Sequence, residues 1–175
     1  LFRSAMQPRA RDNCSQGEIA VRAPWLTQGY LNDSEASATL WQGGYLHTQD
    51  IGVMSADGYL RITDRLKDVI KVAGEWVSSL EVENALASVA GVREVAVIGI
   101  PDSRWGERPL ALLAVDPARF DESAVQQQIR LSVSQGVISK HALLTHFKQV
   151  ECIAKTSVGK VDKKALRSEH ASTHR

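Results

Sequence analysis

The chain has 175 residues, of which 43% are hydrophobic and 23% charged, and its formal net charge is +1. This composition is typical of a globular protein and argues against a disordered or fibrous one. The small net charge gives no reason to expect nucleic acid or a membrane surface as a partner, and the apolar runs are too short for a transmembrane segment. The two cysteines, Cys14 and Cys152, lack metal-binding spacing, so we expect a reduced, cytoplasmic protein. Because the first residue is Leu1 and no signal segment opens the chain, we expect a fragment of a longer protein.

The first third of the chain predicts a small antiparallel sheet. Residues 1–16 are polar and irregular, and we assign them no element. Residues 17–22 alternate with the period of two that is typical of a strand with one buried face. Residues 29–48 are rich in Gly, Asn, Asp and Ser, which favours a loop-rich or short-helical connection. An Asp-Gly turn signal then predicts a hairpin over residues 51–62.

A charged run marks a change in the pattern. Residues 64–68 carry four charges in five positions, which fits either a solvated turn at a strand end or a linker between two lobes. An extended pattern resumes over residues 69–72. Ser78 and Glu81 then have the spacing of a capping box, so we expect a helix that begins there and is ended by Gly91.

The remaining chain alternates strands with helices. Near-continuous aliphatic runs at 92–100 and 110–115 predict buried strands. Residues 122–133 predict an amphipathic helix, 147–153 a further strand and 163–170 a final helix. The expected fold class is α+β, with a small sheet and helices packed over it, preceded by a β-rich segment.

Residues 154–160, with the sequence Ala-Lys-Thr-Ser-Val-Gly-Lys, superficially suggest a phosphate-binding loop. They do not match one, because Lys160 is followed by Val161 and no glycine stands five residues before Gly159. On its residues alone, this segment predicts an exposed polar turn and an ordinary solvated lysine.

The order and spacing of four segments resemble the C-terminal part of adenylate-forming enzymes, the superfamily of acyl-CoA synthetases, peptide-synthetase adenylation domains and firefly luciferases: residues 17–22, 44–52, 64–83 and 155–167. The resemblance extends over residues 17–168. Gly-Glu-Trp-Val-Ser-Ser at 74–79 together with Trp-Gly-Glu-Arg-Pro at 105–109 resembles the medium-chain fatty-acyl-CoA synthetase branch in particular.

The resemblance implies an AMP-forming acid–thiol ligase. Such enzymes activate a carboxylate with ATP and Mg²⁺ and pass the acyl group to CoA, so we expect small-molecule substrates: ATP, a fatty acid and CoA. The resemblance assigns residues 1–65 to the distal, β-rich part of a large N-terminal domain and residues 66–175 to a mobile C-terminal lid domain. Motifs for the phosphate loop and the acyl pocket are not in this sequence. We therefore expect the fragment alone to be inactive and to bind none of these molecules tightly.

Three residues match the family's nucleotide-binding positions. Asp50 corresponds to an aspartate that accepts hydrogen bonds from both ribose hydroxyls, and a carboxylate has two oxygens suited to that task. Arg65, fifteen positions later, corresponds to an arginine that contacts ribose and phosphate. Ile62 matches a nucleotide contact, with a strand core residue as the alternative. Gln49 replaces the family's usual glycine, and a strain of about 1 kcal/mol is expected if this position has a positive φ.

The resemblance also assigns a hinge and a thioester-forming site. Lys67 corresponds to the residue whose backbone torsions turn the small domain between two poses. Gly74 matches the glycine that lines the pantetheine tunnel, with a β-bulge glycine as the alternative. Lys71 matches a lysine implicated in the second half-reaction, although a strand-edge charge explains it equally well. Trp76 stands where some relatives have a phosphate-contacting arginine, so we expect that contact to be absent.

Lys160 matches the family's catalytic lysine, which neutralises charge as the carboxylate attacks the α-phosphate of ATP. The usual proline nearby is replaced by Ala154, a change that we expect to leave function intact. Two alternatives to an acyl-CoA synthetase stay open: an adenylate ligase that loads a carrier protein, and a freestanding binding module. We expect no resident metal site in the chain.

Overall fold

A computed structural model describes residues 1–3 and 6–170. The strands are β1 (Phe2–Arg3), β2 (Gln7–Pro8), β3 (Gly17–Val21), β4 (Leu46–Met54), β5 (Leu60–Arg65), β6 (Ile70–Val72), β7 (Glu75–Val77), β8 (Val92–Asp102), β9 (Gly106–Val115) and β10 (His146–Val150). The α-helices are α1 (Ser34–Leu40), α2 (Ser79–Ala87), α3 (Glu122–Ser134) and α4 (Lys163–His170). Short 3₁₀ helices cover Gln42–Gly44 and Lys140–Leu144.

The chain divides into two compact units, Leu1–Lys67 and Asp68–Arg175. The division lies two residues after the 65/66 boundary expected from the sequence. In the first unit, five strands form an antiparallel sheet in the order β2-β1-β3-β4-β5. The expected hairpin is present as β4 and β5, both longer than the sequence indicated.

The prediction of no element in residues 1–16 was wrong, because β1 and β2 lie there. Each strand has only two residues, too few to produce a periodic signal. Their order comes from pairing: Phe2 pairs with Pro8 and also with Glu18 of β3. The edge of β3 therefore supplies the partner that local sequence does not reveal.

The β4 strand bulges opposite β3. Glu18 pairs with Ile51 and Ala20 pairs with His47, so residues 48–50 of β4 lie opposite the single residue Ile19. The Thr48 hydroxyl donates a 2.8 Å hydrogen bond to the Ile19 carbonyl oxygen inside this bulge. Extra residues in a strand change the direction of its side chains, and here they precede and include Asp50.

The sheet of the second unit is buried on both faces. β8 and β9 pair antiparallel along nearly their whole length, and β10 runs parallel to β9 on its other side. One face packs against α2 and α3, and the opposite face packs against Leu166 of α4 and against Ile153, which follows β10. Because both faces need apolar side chains, residues 110–115 read as a continuous aliphatic run rather than an alternating one.

The helices of the second unit begin where the sequence places them. The Ser78 hydroxyl accepts a 3.0 Å hydrogen bond from the Glu81 N–H, which caps α2. The Asp121 carboxylate caps α3 in the same way, accepting from the Ser123 N–H at 2.9 Å. The mixture of helices with largely antiparallel strands confirms the α+β fold class. Within residues 1–3 and 6–170, no helix has both the length and the apolar character needed to cross a membrane.

Candidate functional site

Asp50 and Arg65, two of the predicted nucleotide-binding residues, form an ion pair. They are register partners across β4 and β5, and Arg65 Nε donates to Asp50 Oδ1 at 2.8 Å. The Arg65 side chain is 65% exposed and that of Asp50 25%. The antiparallel pairing thus places an accessible guanidinium beside a carboxylate, a combination that can contact hydroxyl and phosphate oxygens of one ligand.

Gln49 has the positive φ that the sequence analysis considered, at 63°. A non-glycine residue in this region carries a strain of about 1 kcal/mol. The Gln49 carbonyl oxygen accepts a 2.8 Å hydrogen bond from the Leu66 N–H, so the strained residue is bonded to the segment that precedes the expected hinge. Asp50 follows directly on this strained residue, in a strand and not in a loop.

Ile62 is 57% exposed, so it is not a core residue of the first unit. In its strand β5 the polar residues Thr63 and Asp64 are buried, whereas the apolar Ile62 faces solvent. An exposed isoleucine on the strand that carries Arg65 can offer an apolar surface to a flat ligand ring. Its contact with a nucleotide stays a prediction.

Lys67 is exposed in a turn between β5 and β6, and it is the last residue of the first unit. Both of its neighbours are held, each within its own unit. Leu66 donates its N–H to Gln49, and Asp68 accepts a 2.6 Å hydrogen bond from Arg167 Nη2 of α4. A hinge needs anchored flanks and a residue whose torsions are unconstrained by packing, and this arrangement has that form.

Gly74 lies in a two-residue hairpin loop and not in a β-bulge, which corrects the alternative given for it. Val72 pairs with Glu75, and the two loop residues Ala73 and Gly74 have φ values of 50° and 81°. Positive φ at both positions is the form that matches strand twist in short hairpins. A Cβ added to Gly74 would meet no atom within 4 Å, so conformation and not crowding favours glycine within this chain.

The Gly74 hairpin is bonded to the loop between β8 and β9. The Ala73 N–H donates to the Trp105 carbonyl oxygen at 2.8 Å. Asp102 orders that loop, because its carboxylate accepts hydrogen bonds from the Trp105 and Arg104 N–H groups. These two bonds, the Trp105 bond being the stronger influence, hold the pKa of Asp102 below its ordinary value. The Gly74 turn and the Trp-Gly-Glu-Arg-Pro segment are therefore neighbours.

Lys71 is exposed on β6, opposite Trp76 of β7. Its N–H donates to Glu107 Oε2 at 2.7 Å. This bond joins a second residue of the predicted thioester site to the Trp-Gly-Glu-Arg-Pro segment. The role of the Lys71 side chain stays a prediction.

Lys160 is exposed at the end of a small hairpin. Lys155 pairs with Val161, the Thr156 N–H donates to the Lys160 carbonyl oxygen at 2.7 Å, and the Gly159 N–H donates to the Thr156 carbonyl oxygen at 2.9 Å. Gly159 has a φ of 78°, which explains the glycine in this turn. The segment is a turn, as its residues indicate, and it carries the lysine outward into solvent.

The residues that hold α4, the helix directly after this hairpin, were not predicted from the sequence. Lys163 Nζ lies 2.7 Å from Glu83 Oε1 and 2.7 Å from Ser79 Oγ, both on α2. The Lys163 and Glu83 side chains are only 14% and 15% exposed. Glu83 Oε1 also accepts from the Val97 N–H at 2.7 Å. Eighty positions separate Lys163 from Glu83, so no local pattern indicated the pair.

In the described part of the chain, no three His, Cys, Asp or Glu side chains form a group that could hold a metal ion. The candidate functional residues lie in separate places: the Asp50–Arg65 pair is in the first unit, and the Gly74 hairpin and the Lys160 hairpin are in the second.

Comparison with known proteins gives these features a context. Residues 81–160 match the model of the AMP-binding enzyme C-terminal domain. Over 94% of its length the chain is 37% identical to the long-chain-fatty-acid–CoA ligase of Thermus thermophilus, and the match covers 30% of that protein. The chain spans about 30% of the length of the curated relatives it matches.

The chain is also similar to part of several solved structures. The amide bond synthetase McbA from Marinactinospora thermotolerans is 33% identical with a TM-score of 0.75, over 95% of this chain and 32% of that one. ATP-bound MatB from Rhodopseudomonas palustris is 26% identical with a TM-score of 0.79, over 99% of this chain and 34% of that one. Residues 81–160 therefore match the C-terminal domain of AMP-binding enzymes, and nearly the whole chain is similar to part of adenylate-forming enzymes.

Proposed function

We propose that this chain is the C-terminal part of an ATP-dependent acyl-CoA synthetase. The observation that carries the proposal is the Asp50–Arg65 pair, in which two residues assigned to nucleotide binding lie 2.8 Å apart with the guanidinium accessible. The similarity to a CoA ligase and to an ATP-bound structure supports the same reaction class.

In the proposed enzyme, the first unit binds the nucleotide. The Asp50 carboxylate accepts hydrogen bonds from the ribose hydroxyls, and the Arg65 guanidinium contacts ribose and phosphate oxygens. Ile62, on the same strand as Arg65, packs against the nucleotide. Mg²⁺ would neutralise phosphate charge, and we assign no residue of this chain to it.

Lys160 acts in the first half-reaction. A carboxylate oxygen of the acid forms a bond to the α-phosphorus of ATP while the bond to pyrophosphate breaks. Negative charge increases on the phosphate oxygens as this happens, and the Lys160 ammonium neutralises it. An exposed lysine on a small hairpin suits this role because it is a compact charge on a long stem.

The second half-reaction transfers the acyl group. The thiolate of CoA attacks the acyl carbonyl carbon, and AMP leaves with the electron pair of the broken bond. The open surface above Gly74 accommodates the pantetheine chain, with Lys71 on the adjacent strand. Rotation of the backbone at Lys67 turns the second unit from the pose for adenylate formation to the pose for thioester formation. The anchored residues on either side of Lys67 support this role.

The acyl substrate is proposed to be a medium-chain fatty acid, on the resemblance of residues 74–79 and 105–109 alone. Two other acceptors deserve a test. An amide bond synthetase is among the similar structures, which makes an amine one candidate acceptor, and a carrier-protein thiol is the other. The remaining alternative is a freestanding binding module, which would catalyse no reaction.

The deciding experiment measures pyrophosphate release from ATP with acids from acetate to palmitate. It uses this chain beside a version extended upstream to include a phosphate loop, and it offers CoA, a carrier protein or an amine as acceptor. We expect activity only in the extended protein, with a maximum at intermediate acids and with CoA as acceptor. A folded extended protein that releases no pyrophosphate with any acid would contradict the proposal and favour the binding module.

A further inference from the structure

One partly buried carboxylate in the first unit, that of Glu18, contacts the strained residue before Asp50. Glu18 Oε1 accepts a 3.2 Å hydrogen bond from the Gln49 N–H, and Glu18 Oε2 lies 2.8 Å from Nδ1 of His47. The other His47 nitrogen, Nε2, lies 3.0 Å from the Gln42 carbonyl oxygen. A carbonyl oxygen only accepts, so Nε2 donates to it. The Glu18 side chain is 14% exposed and the His47 side chain 9%.

These contacts hold Gln49 from both sides. Its N–H is bonded to Glu18, and its carbonyl oxygen is bonded to Leu66. These two bonds fix the backbone of Gln49 on either side of its Cα. Its φ of 63° is unfavourable for a residue other than glycine. A strained backbone persists where several surrounding contacts fix it, and here those contacts are the partly buried Glu18 carboxylate and the Leu66 N–H after the end of β5.

The held peptide sets the direction of Asp50. Asp50 is the next residue in the bulge of β4, and its N–H donates to the Thr48 hydroxyl at 3.2 Å. A small rotation at Gln49 moves the Asp50 carboxylate away from the position where it pairs with Arg65. A positioned carboxylate binds two hydroxyls well only when its oxygens are correctly oriented.

We propose that Glu18, oriented by His47, is a positioning residue that holds the strained Gln49 peptide so that Asp50 binds the ribose of the nucleotide. This inference rests on the proposed function, because it assigns the ribose to Asp50. Glu18 touches no substrate, and it acts through Gln49.

The test measures dissociation constants for ATP and for 3′-deoxy-ATP in the upstream-extended protein, with kcat as a second readout. Glu18→Ala is expected to raise the Kd for ATP about five- to tenfold and to reduce the preference for ATP over 3′-deoxy-ATP by a similar factor. The kcat at saturating ATP is expected to change less than about twofold, because the chemical groups stay in place.

Two variants separate positioning from plain structural support. Glu18→Gln keeps the shape and an oxygen for the Gln49 N–H, so it is expected to retain most of the ATP affinity. Gln49→Gly removes the need to hold a positive φ, so adding it to Glu18→Ala is expected to restore the Kd for ATP to within about twofold. If Glu18→Ala does not fold, His47→Phe removes the group that orients Glu18 and is expected to show the same rescue by Gln49→Gly.

Asp50→Asn is the reference for the ribose role. If it leaves the preference for ATP over 3′-deoxy-ATP unchanged, the proposed ribose contact is wrong and this inference falls with it. If Asp50→Asn abolishes the preference but Glu18→Ala and His47→Phe leave it intact, only the positioning role is overturned. A loss of affinity that Gln49→Gly does not rescue also overturns it, since Glu18 would then act on stability alone.

Discussion

The Asp50 region and the Lys160 hairpin hold their functional side chains in opposite ways. Asp50 lies in a strand bulge, paired with Arg65 at 2.8 Å and preceded by a peptide bonded at both its N–H and its carbonyl oxygen. Lys160 lies on an exposed turn closed by backbone hydrogen bonds. Proposed ligand recognition thus depends on a side chain fixed by several contacts, while the proposed catalytic charge is on an exposed turn.

The contrast has a physical reason. Two oxygens of one carboxylate must match two hydroxyls, so orientation decides affinity. A single ammonium has no preferred direction and acts through charge, so a long, exposed stem suffices. The Lys160 hairpin is anchored at its base by the half-exposed Lys155–Glu94 pair, and the largely buried Lys163–Glu83 pair follows it at the start of α4.

Replacing the catalytic charge is expected to have the largest effect. Lys160→Ala in the upstream-extended protein should slow acyl-adenylate formation by about 10²- to 10³-fold. Thioester formation from supplied acyl-adenylate should change far less, because the proposed role of the ammonium is at the α-phosphate during adenylate formation. Pyrophosphate release and thioester formation, measured separately, check this. Lys164→Ala, an exposed lysine four positions later, is the matched control. Equal damage to both steps would remove the role given to Lys160.

The Gly74 hairpin provides the next largest effect. Gly74→Leu should slow thioester formation on the order of 10²-fold by misplacing the thiol, while pyrophosphate release stays near its original rate. Gly136→Leu is the matched control, because Gly136 also has a positive φ, 69°, and open space around its Cβ position. If both variants lose both steps, misfolding explains the loss, and if Gly74→Leu spares thioester formation, the tunnel assignment is wrong.

The two lysine ion pairs near the Lys160 hairpin should differ in stability. Lys163→Ala removes the cation that pairs with the largely buried Glu83 carboxylate, and we expect a loss of about 3 kcal/mol in the free energy of unfolding. Lys155→Ala breaks a pair with Glu94 in which both side chains are almost half exposed, and we expect about 0.5 kcal/mol. Urea titration of the chain measures both. Similar losses would show that α4 does not depend on the buried pair.

The smallest expected effect concerns acid and the loop beside Gly74. The lowered pKa of Asp102 means that its carboxylate stabilises the folded state above about pH 4, its unfolded value, and loses this contribution as pH falls through the folded pKa. Asp102→Asn keeps an oxygen for the same N–H groups but cannot titrate. Melting temperatures measured between about pH 2.5 and 5 should therefore fall less steeply for Asp102→Asn than for the original chain. Parallel curves would exclude a contribution from Asp102.

Prediction from the sequence succeeded where the signal was local. The capping pair Ser78 and Glu81 indicated α2, and the helix at 163–170 is α4 residue for residue. The Asp-Gly turn indicated the hairpin that makes Asp50 and Arg65 register partners. Gln49 has the positive φ that was considered for it. The clue was that the resembling family has a glycine at this position, and glycine is the residue that adopts a positive φ without strain.

Prediction failed where two distant segments meet. Glu18 and Gln49 are 31 positions apart, and nothing in either segment indicates a bond between them. The two-residue strands β1 and β2 are ordered by pairing with each other and with β3, and the bulge in β4 appears only against its neighbour.

Local sequence was thus sufficient for the starts of α2, α3 and α4, the long buried strands and the turn that carries Lys160, and the family resemblance supplied the candidate site residues. The predicted end of α2 was wrong, because the helix ends at Ala87 and not before Gly91. Long-range packing set the rest: the register of Asp50 against Arg65, the Glu18 support of Gln49 and the Lys163–Glu83 pair. The reason is that capping and periodicity act within a few residues, whereas the orientation of a buried carboxylate depends on whichever groups the completed fold brings within hydrogen-bond distance.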